Sequence, residues 1–124
     1  MTVIDSSGWI HYLTNGDLAE PFAKYFSKYE EIVTPTIVFY EVYKKIKQEF
    51  SQEEAYLAVS QMNRTRVVPL GESLACHAAD ISLEHQLAMA DAIVYATALA
   101  HQATLVTSAA DFKGLPKVSY ICAS

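Results

Sequence analysis

Short apolar runs alternate with longer amphipathic stretches along this chain. Val3-Ile4, Ile32-Val33, Val67-Val68-Pro69-Leu70, Thr104-Leu105-Val106-Thr107 and Val118-Ser119-Tyr120-Ile121 read as five short strands. Between the first two, Ser6 or Ser7 is expected to cap a helix through Trp9, Ile10 and Leu13 that Asn15-Gly16 stops. Asp17 is expected to cap a second helix, along which Leu18, Phe22, Tyr25, Phe26 and Tyr29 recur at helical spacing. Pro35-Thr36 starts a longer helix through Phe39, Val42, Tyr43 and Ile46, and Ser51 with Glu54 forms a capping box for the next. Gly71-Glu72-Ser73 leads into a helix ending near His85, and a break at Leu87-Ala88 precedes another that carries Asp91 to His101. Strands this short and apolar, separated by helices, predict an α/β fold: a central parallel sheet of four or five strands covered by helices on both faces, α/β/α.

Length and composition narrow the class. The 124 residues suit one domain over positions 1–124, and 52% hydrophobic against 19% charged residues excludes a disordered chain. No apolar run is long enough for a membrane span, and Met1-Thr2-Val3-Ile4-Asp5 lacks the basic-then-apolar order of a signal peptide. The chain is therefore expected in the cytoplasm. Cys76 and Cys122 are unclustered and are expected as reduced core thiols; His11, His77, His85 and His101 have no zinc-ligand spacing. Fourteen acidic residues against nine Lys and Arg give a net charge of -5, which argues against binding nucleic acid by overall charge.

The placement of certain acids changes that picture. Ligands of an open α/β sheet bind beyond the carboxyl ends of its strands, where Asp5 ends the first strand and Asp111 follows Thr107 at the end of the fourth. Glu41 interrupts the apolar stretch that begins at Ile37, and Asp91 sits within Leu87-Ala88-Met89-Ala90-Asp91-Ala92-Ile93-Val94, with no Lys or Arg from Asp80 to Leu105. Carboxylates in apolar surroundings need a partner, and several brought together repel unless a cation lies among them. Mg²⁺ or Mn²⁺ is the natural one, with Thr107 and Ser6 as hydroxyls beside the strand ends. Hydrolytic phosphoryl transfer is the chemistry such a cluster performs.

Val3-Ile4-Asp5-Ser6-Ser7, Glu41, Ala90-Asp91-Ala92 and Leu105-Val106-Thr107 followed by Asp111-Phe112, in that order over nearly the whole chain, resemble a PIN-domain protein, and within that family the VapC class of toxin ribonucleases. The resemblance implies an Mg²⁺- or Mn²⁺-dependent endoribonuclease. Its principal acids would be Asp5, Glu41, Asp91 and Asp111, and its hydroxyl Thr107. It also implies a homodimer held inactive by a cognate antitoxin whose C-terminal segment lies across the groove. Ala109 departs from the pattern, since many relatives carry an acidic residue or Asn there; an auxiliary ligand or a turn-capping side chain is lost.

For the RNA, Lys44 and Lys45 follow Glu41 on roughly one helix side and are expected to meet backbone phosphates; Arg64, Arg66 and Lys113 are further cations. Phe22, Phe26, Phe39 and Tyr25, Tyr29, Tyr40, Tyr43 are read first as core, with any exposed members available to a partner. Two phosphotransfer folds of similar size fit less well. A receiver domain wants adjacent acids after the first strand, and a haloacid-dehalogenase-type phosphatase wants Asp-x-Asp where Ser7 stands. The remaining alternative is a PIN-like interaction module with a degenerate site, binding a protein partner without cleaving RNA. Assigning four acids to one cavity would take the charge of the remaining surface from -5 to -1.

Overall fold

The structure is a computed structural model and describes residues 1–122. Five strands, β1 (Thr2–Ile4), β2 (Ile32–Pro35), β3 (Arg66–Val68), β4 (Thr104–Thr107) and β5 (Val118–Tyr120), form one sheet in the order β3-β2-β1-β4-β5, and every pair is parallel. The helices are α1 (Ser6–Leu13), α2 (Ala19–Ala23), α3 (Thr36–Glu49), α4 (Gln52–Met62), α5 (Glu72–His85) and α6 (Met89–Ala100). The crossovers from β1 to β2 and on to β3 run one way across the sheet, and that from β3 to β4 runs the other. Right-handed connections therefore put α1–α4 on one face and α5–α6 on the opposite one. The three-layer α/β/α arrangement is as expected.

The core follows from residue type. Val3, Ile4, Val33, Leu105 and Val106 of the central strands are fully buried between the layers. Seven consecutive residues of α6, Ala92 to Ala98, are buried, and its alanines let the helix lie close to β1, β2 and β4. Trp9 packs edge-on against Phe26, with ring centroids 4.8 Å apart. Gly8 is required where α1 meets the sheet: a Cβ there would lie 2.6 Å from both Ile4 Cγ2 and Phe22 Cε1.

Local differences from the sequence expectations have physical causes. Asp5, not Ser6 or Ser7, caps α1, accepting from the Gly8 amide at 3.1 Å. Asp17 caps nothing: α2 starts at Ala19 and gives way to 3-10 turns at Lys24–Phe26 and Tyr29–Glu31. Apolar spacing of three and four residues suits such turns as well as a helix. β3 ends at Val68, because Pro69 has no amide to donate, and this edge strand leaves Val67 exposed instead of covered. Cys76 and Cys122 are free thiols but exposed, so neither belongs to the core. Ser51 does cap α4, accepting from the Glu54 amide at 3.0 Å. No described helix is long and apolar enough to cross a membrane.

Candidate active site

β1 is where the strand order reverses: its chain neighbour β2 lies on one side and β4 on the other. The crevice beyond the carboxyl ends of β1 and β4 is thus the position at which an open α/β sheet receives a ligand. Ile4 pairs with Val106, so Asp5 and Thr107 emerge side by side there. Asp5 is only 6% exposed and Thr107 fully buried. Thr107 Oγ1 donates to Asp5 Oδ2 at 2.5 Å, while Ser7 Oγ donates to Oδ1 at 2.7 Å. With the Gly8 amide, three donors fix this carboxylate. Burial pushes the Asp5 carboxyl above its ordinary range, and these hydrogen bonds oppose the rise.

The other three acids come from the helical layers. Glu41 lies half-buried on α3, Asp91 half-buried in the first turn of α6, and Asp111 exposed in the 3-10 turn Ala110–Phe112 after β4. α3 packs against α6, which brings Glu41 and Asp91 towards Asp5. Burial is the main cause that raises the Glu41 carboxyl; a hydrogen bond from Ser6 opposes it, and the charges of Asp91 and Asp5 add to it. Burial likewise raises Asp91, reinforced by Asp111 and Asp5. Glu41 thus senses Asp91 and Asp5, Asp91 senses Asp111 and Asp5, and no Lys, Arg or His among the described residues pairs with any of the four acids.

They do not close on a single point: among the described residues no three His, Cys, Asp or Glu groups stand close enough to grip a bare ion. The donors are nevertheless all hard oxygens, one of them buried and fixed. Such a set fits a cation that keeps much of its water and takes one or two carboxylates, as Mg²⁺ does.

Two hydroxyls went unnoticed as site residues. Ser7 Oγ, besides holding Asp5, lies 2.9 Å from Ser108 Oγ. The pair ties the start of α1 to the loop after β4, across 101 residues of chain, and no local pattern announces it. Thr107 also accepts from the Ala109 amide at 2.9 Å, so the turn is held without a polar side chain at position 109. Lys44 and Lys45 are exposed and border, with Tyr40, Glu41 and Gln48, an open groove of about 250 Å³ on α3. Lys45 is occupied by Glu49, 2.6 Å away.

The PIN domain family model matches residues 2–118. The chain belongs to the PIN domain family. No curated protein sequence matches it, but solved structures share this PIN fold. A chain of a toxin–antitoxin complex from Klebsiella pneumoniae superposes with a TM-score of 0.80 at 21% identity, covering 96% of both chains. VapC20 of Mycobacterium tuberculosis, described as a sarcin-ricin loop cleaving toxin, gives 0.74 at 19% identity over 91% of this chain and 92% of that one. A DNA-bound VapBC complex from Salmonella typhimurium gives 0.73 at 17% identity, over 97% and 96%. The PIN fold is thus of the kind found in VapBC-type structures.

Proposed function

We propose that this PIN-domain protein is a divalent-metal-dependent endoribonuclease that hydrolyses RNA phosphodiester bonds, acting as the toxin of a toxin–antitoxin pair. The observation that carries the reading is the gathering of Asp5, Glu41, Asp91 and Asp111 at the sheet's switch point with no cationic side chain paired to them. Burial first, and the neighbouring carboxylates second, raise Glu41 and Asp91, and a cation among the acids would offset that cost. The cleaving activity of VapC20, and the toxin–antitoxin complex among the similar structures, support the same reading.

Asp5, Glu41, Asp91 and Asp111 would hold Mg²⁺ or Mn²⁺, which supplies an activated water and offsets charge on the departing oxygen. Asp5 is the anchor, because three donors keep its carboxylate from rotating. Thr107 orients Asp5 by donating to it and opposes the rise that burial causes. Lys44, with Lys45 beside it, meets the RNA backbone at the edge of the site. The antitoxin has a fitting seat in the groove among Leu13, Ile46, Leu57 and Ala58, where Leu57 is exposed. An apolar face between α5 and α6, with Leu70 and Met89 exposed, suits a homodimer. We place the protein in the cytoplasm, where an RNA target and an antitoxin would meet it.

The alternative, an interaction module with a degenerate site, draws on Ala109 and on the open spacing of the acids. One experiment separates them. The chain purified without antitoxin should cleave RNA with Mg²⁺ or Mn²⁺, stop with chelator, and stop on Asp5→Asn or Asp91→Asn. Cleavage undiminished in both folded variants, or none by the parent with either metal, would refute the ribonuclease.

A further inference from the structure

The long helix α3 sets two kinds of aromatic residue on its surface. Phe39 and Tyr43 are half-buried, and Tyr43 faces Tyr56 of α4 with ring centroids 6.1 Å apart. Tyr40 is 59% exposed and stacks on no other ring among the described residues. It precedes Glu41, and the groove that Glu41 borders begins at Tyr40. Spacing of four puts Tyr40, Lys44 and Gln48 in one row along the helix. Lys44 Nζ lies 5.5 Å from the Tyr40 ring centre and 3.5 Å from its hydroxyl. Lys45 is drawn away by Glu49, whereas Lys44 has no carboxylate within pairing distance among the described residues.

We propose that Tyr40 and Lys44 form a nucleotide subsite beside the acids, Tyr40 stacking an unpaired base that flanks the phosphate to be cleaved and Lys44 meeting that nucleotide's phosphate. The proposal rests on the ribonuclease reading and adds to it the two residues that hold the nucleotide beside the cut. An aromatic face and a cation side by side match the two faces of a nucleotide, its π-surface and its anionic link. A base held in a duplex cannot present its face to Tyr40, so paired RNA is excluded from the subsite. Stacking accepts every base, so the subsite sets strandedness and register while leaving sequence to other contacts.

The test uses the full chain carrying Asp91→Asn, which prevents cleavage, and a short single-stranded RNA with one 2-aminopurine. Stacking quenches that base. The Asp91→Asn chain should quench it on binding. Adding Tyr40→Ala should remove the quench and weaken binding by about tenfold or more, while Tyr40→Phe keeps both. Lys44→Gln should lower the slope of log affinity against log salt by about 0.7. In the otherwise unaltered enzyme, Tyr40→Ala should raise KM by a similar factor and leave kcat in place; the exposed ring makes an unchanged melting temperature the expected control. If Tyr40→Ala quenches and binds like its parent while the unaltered chain cleaves RNA, the subsite is wrong and the ribonuclease stands. If the unaltered chain neither binds nor cleaves RNA, the ribonuclease reading fails and the subsite falls with it.

Discussion

Asp5 and Asp91 carry the same carboxylate at the same end of the sheet, yet the fold holds them by different means. Asp5 leaves the end of the central strand, 6% exposed, with Thr107, Ser7 and the Gly8 amide all donating to it. Asp91 rides the first turn of α6, half-buried, and the charges around it are Asp111 and Asp5, both repulsive. Glu41 resembles Asp91, with Ser6 as its one opposing hydrogen bond, and Asp111 is more exposed still. The strand-borne half of the site is thus preorganised by the protein itself. In the helix-borne half, Glu41 and Asp91 are raised by burial first and by neighbouring carboxylates second, a cost that a cation would relieve. In the ribonuclease reading, the first half sets position and the second supplies affinity.

Substitutions should separate the halves. Asp5→Asn should lower cleavage by about a hundredfold or more at every Mn²⁺ concentration, because no added metal restores the anchor. Glu41→Gln and Asp111→Asn should be partly rescued as Mn²⁺ is raised, since each removes one donor among several. Titrating Mn²⁺ in RNA cleavage assays of the three variants reads this out, and equal rescue of all three would remove the distinction.

The next effect is on stability. Gly8→Ala forces a methyl into Ile4 and Phe22, and overpacking of this kind costs about 1–3 kcal/mol. Asp111→Asn, on an exposed turn, should stay within about 0.5 kcal/mol of the parent. Urea unfolding of both compares them directly. A Gly8→Ala chain as stable as the parent would mean that α1 shifts on the sheet at little cost, and that Asp5 is less firmly held than its hydrogen bonds imply.

A smaller effect is expected at Ser108, which touches Asp5 only through Ser7. Loss of such an outer hydroxyl typically weakens metal binding by about tenfold. Ser108→Ala should therefore shift the Mn²⁺ midpoint, measured by calorimetry as well as by cleavage, and Ser108→Thr should restore it. A midpoint unmoved by Ser108→Ala would leave the hydroxyl pair as a loop tether alone.

These residues also mark what the sequence discloses. The strands, their parallel arrangement and most helices are legible, because Val3-Ile4 or Leu105-Val106 between polar helices admits few other folds. Asp5 and Asp91 stand out for a related reason: charges in apolar runs carry a visible cost. Ser108 is ordinary in its own segment, and its meeting with Ser7 depends on the pairing of β1 with β4. Tyr40 reads with its neighbours as core first and as a partner surface if exposed, since helical spacing groups aromatic residues without saying which points outward. Only the angle at which α3 packs buries Val38, Val42 and Ile46 and leaves Tyr40 in solvent.

The finest division between the halves concerns protons. The Asp91 carboxyl is raised above its ordinary range, so the folded state binds this proton more readily than the unfolded chain does. Stability therefore declines as pH rises from the ordinary carboxylate range near pH 4 through the raised value, and the full cost is present at neutral pH. With chelator present, Asp91→Asn removes that cost and should melt a few degrees above the parent at pH 7. The gap should close as pH falls and the parent takes up its proton. Burial raises Asp5 as well, but Asp5→Asn should show no net gain, because its amide places an N–H against one of the donors that the carboxylate accepts. Adding Mg²⁺ should raise the melting point of the parent more than that of Asp91→Asn, since a ligand that prefers the folded state stabilises it by mass action. Thermal melts of the three proteins across this pH range test each step. An Asp91→Asn gap independent of pH would mean that the folded state pays no such cost at Asp91.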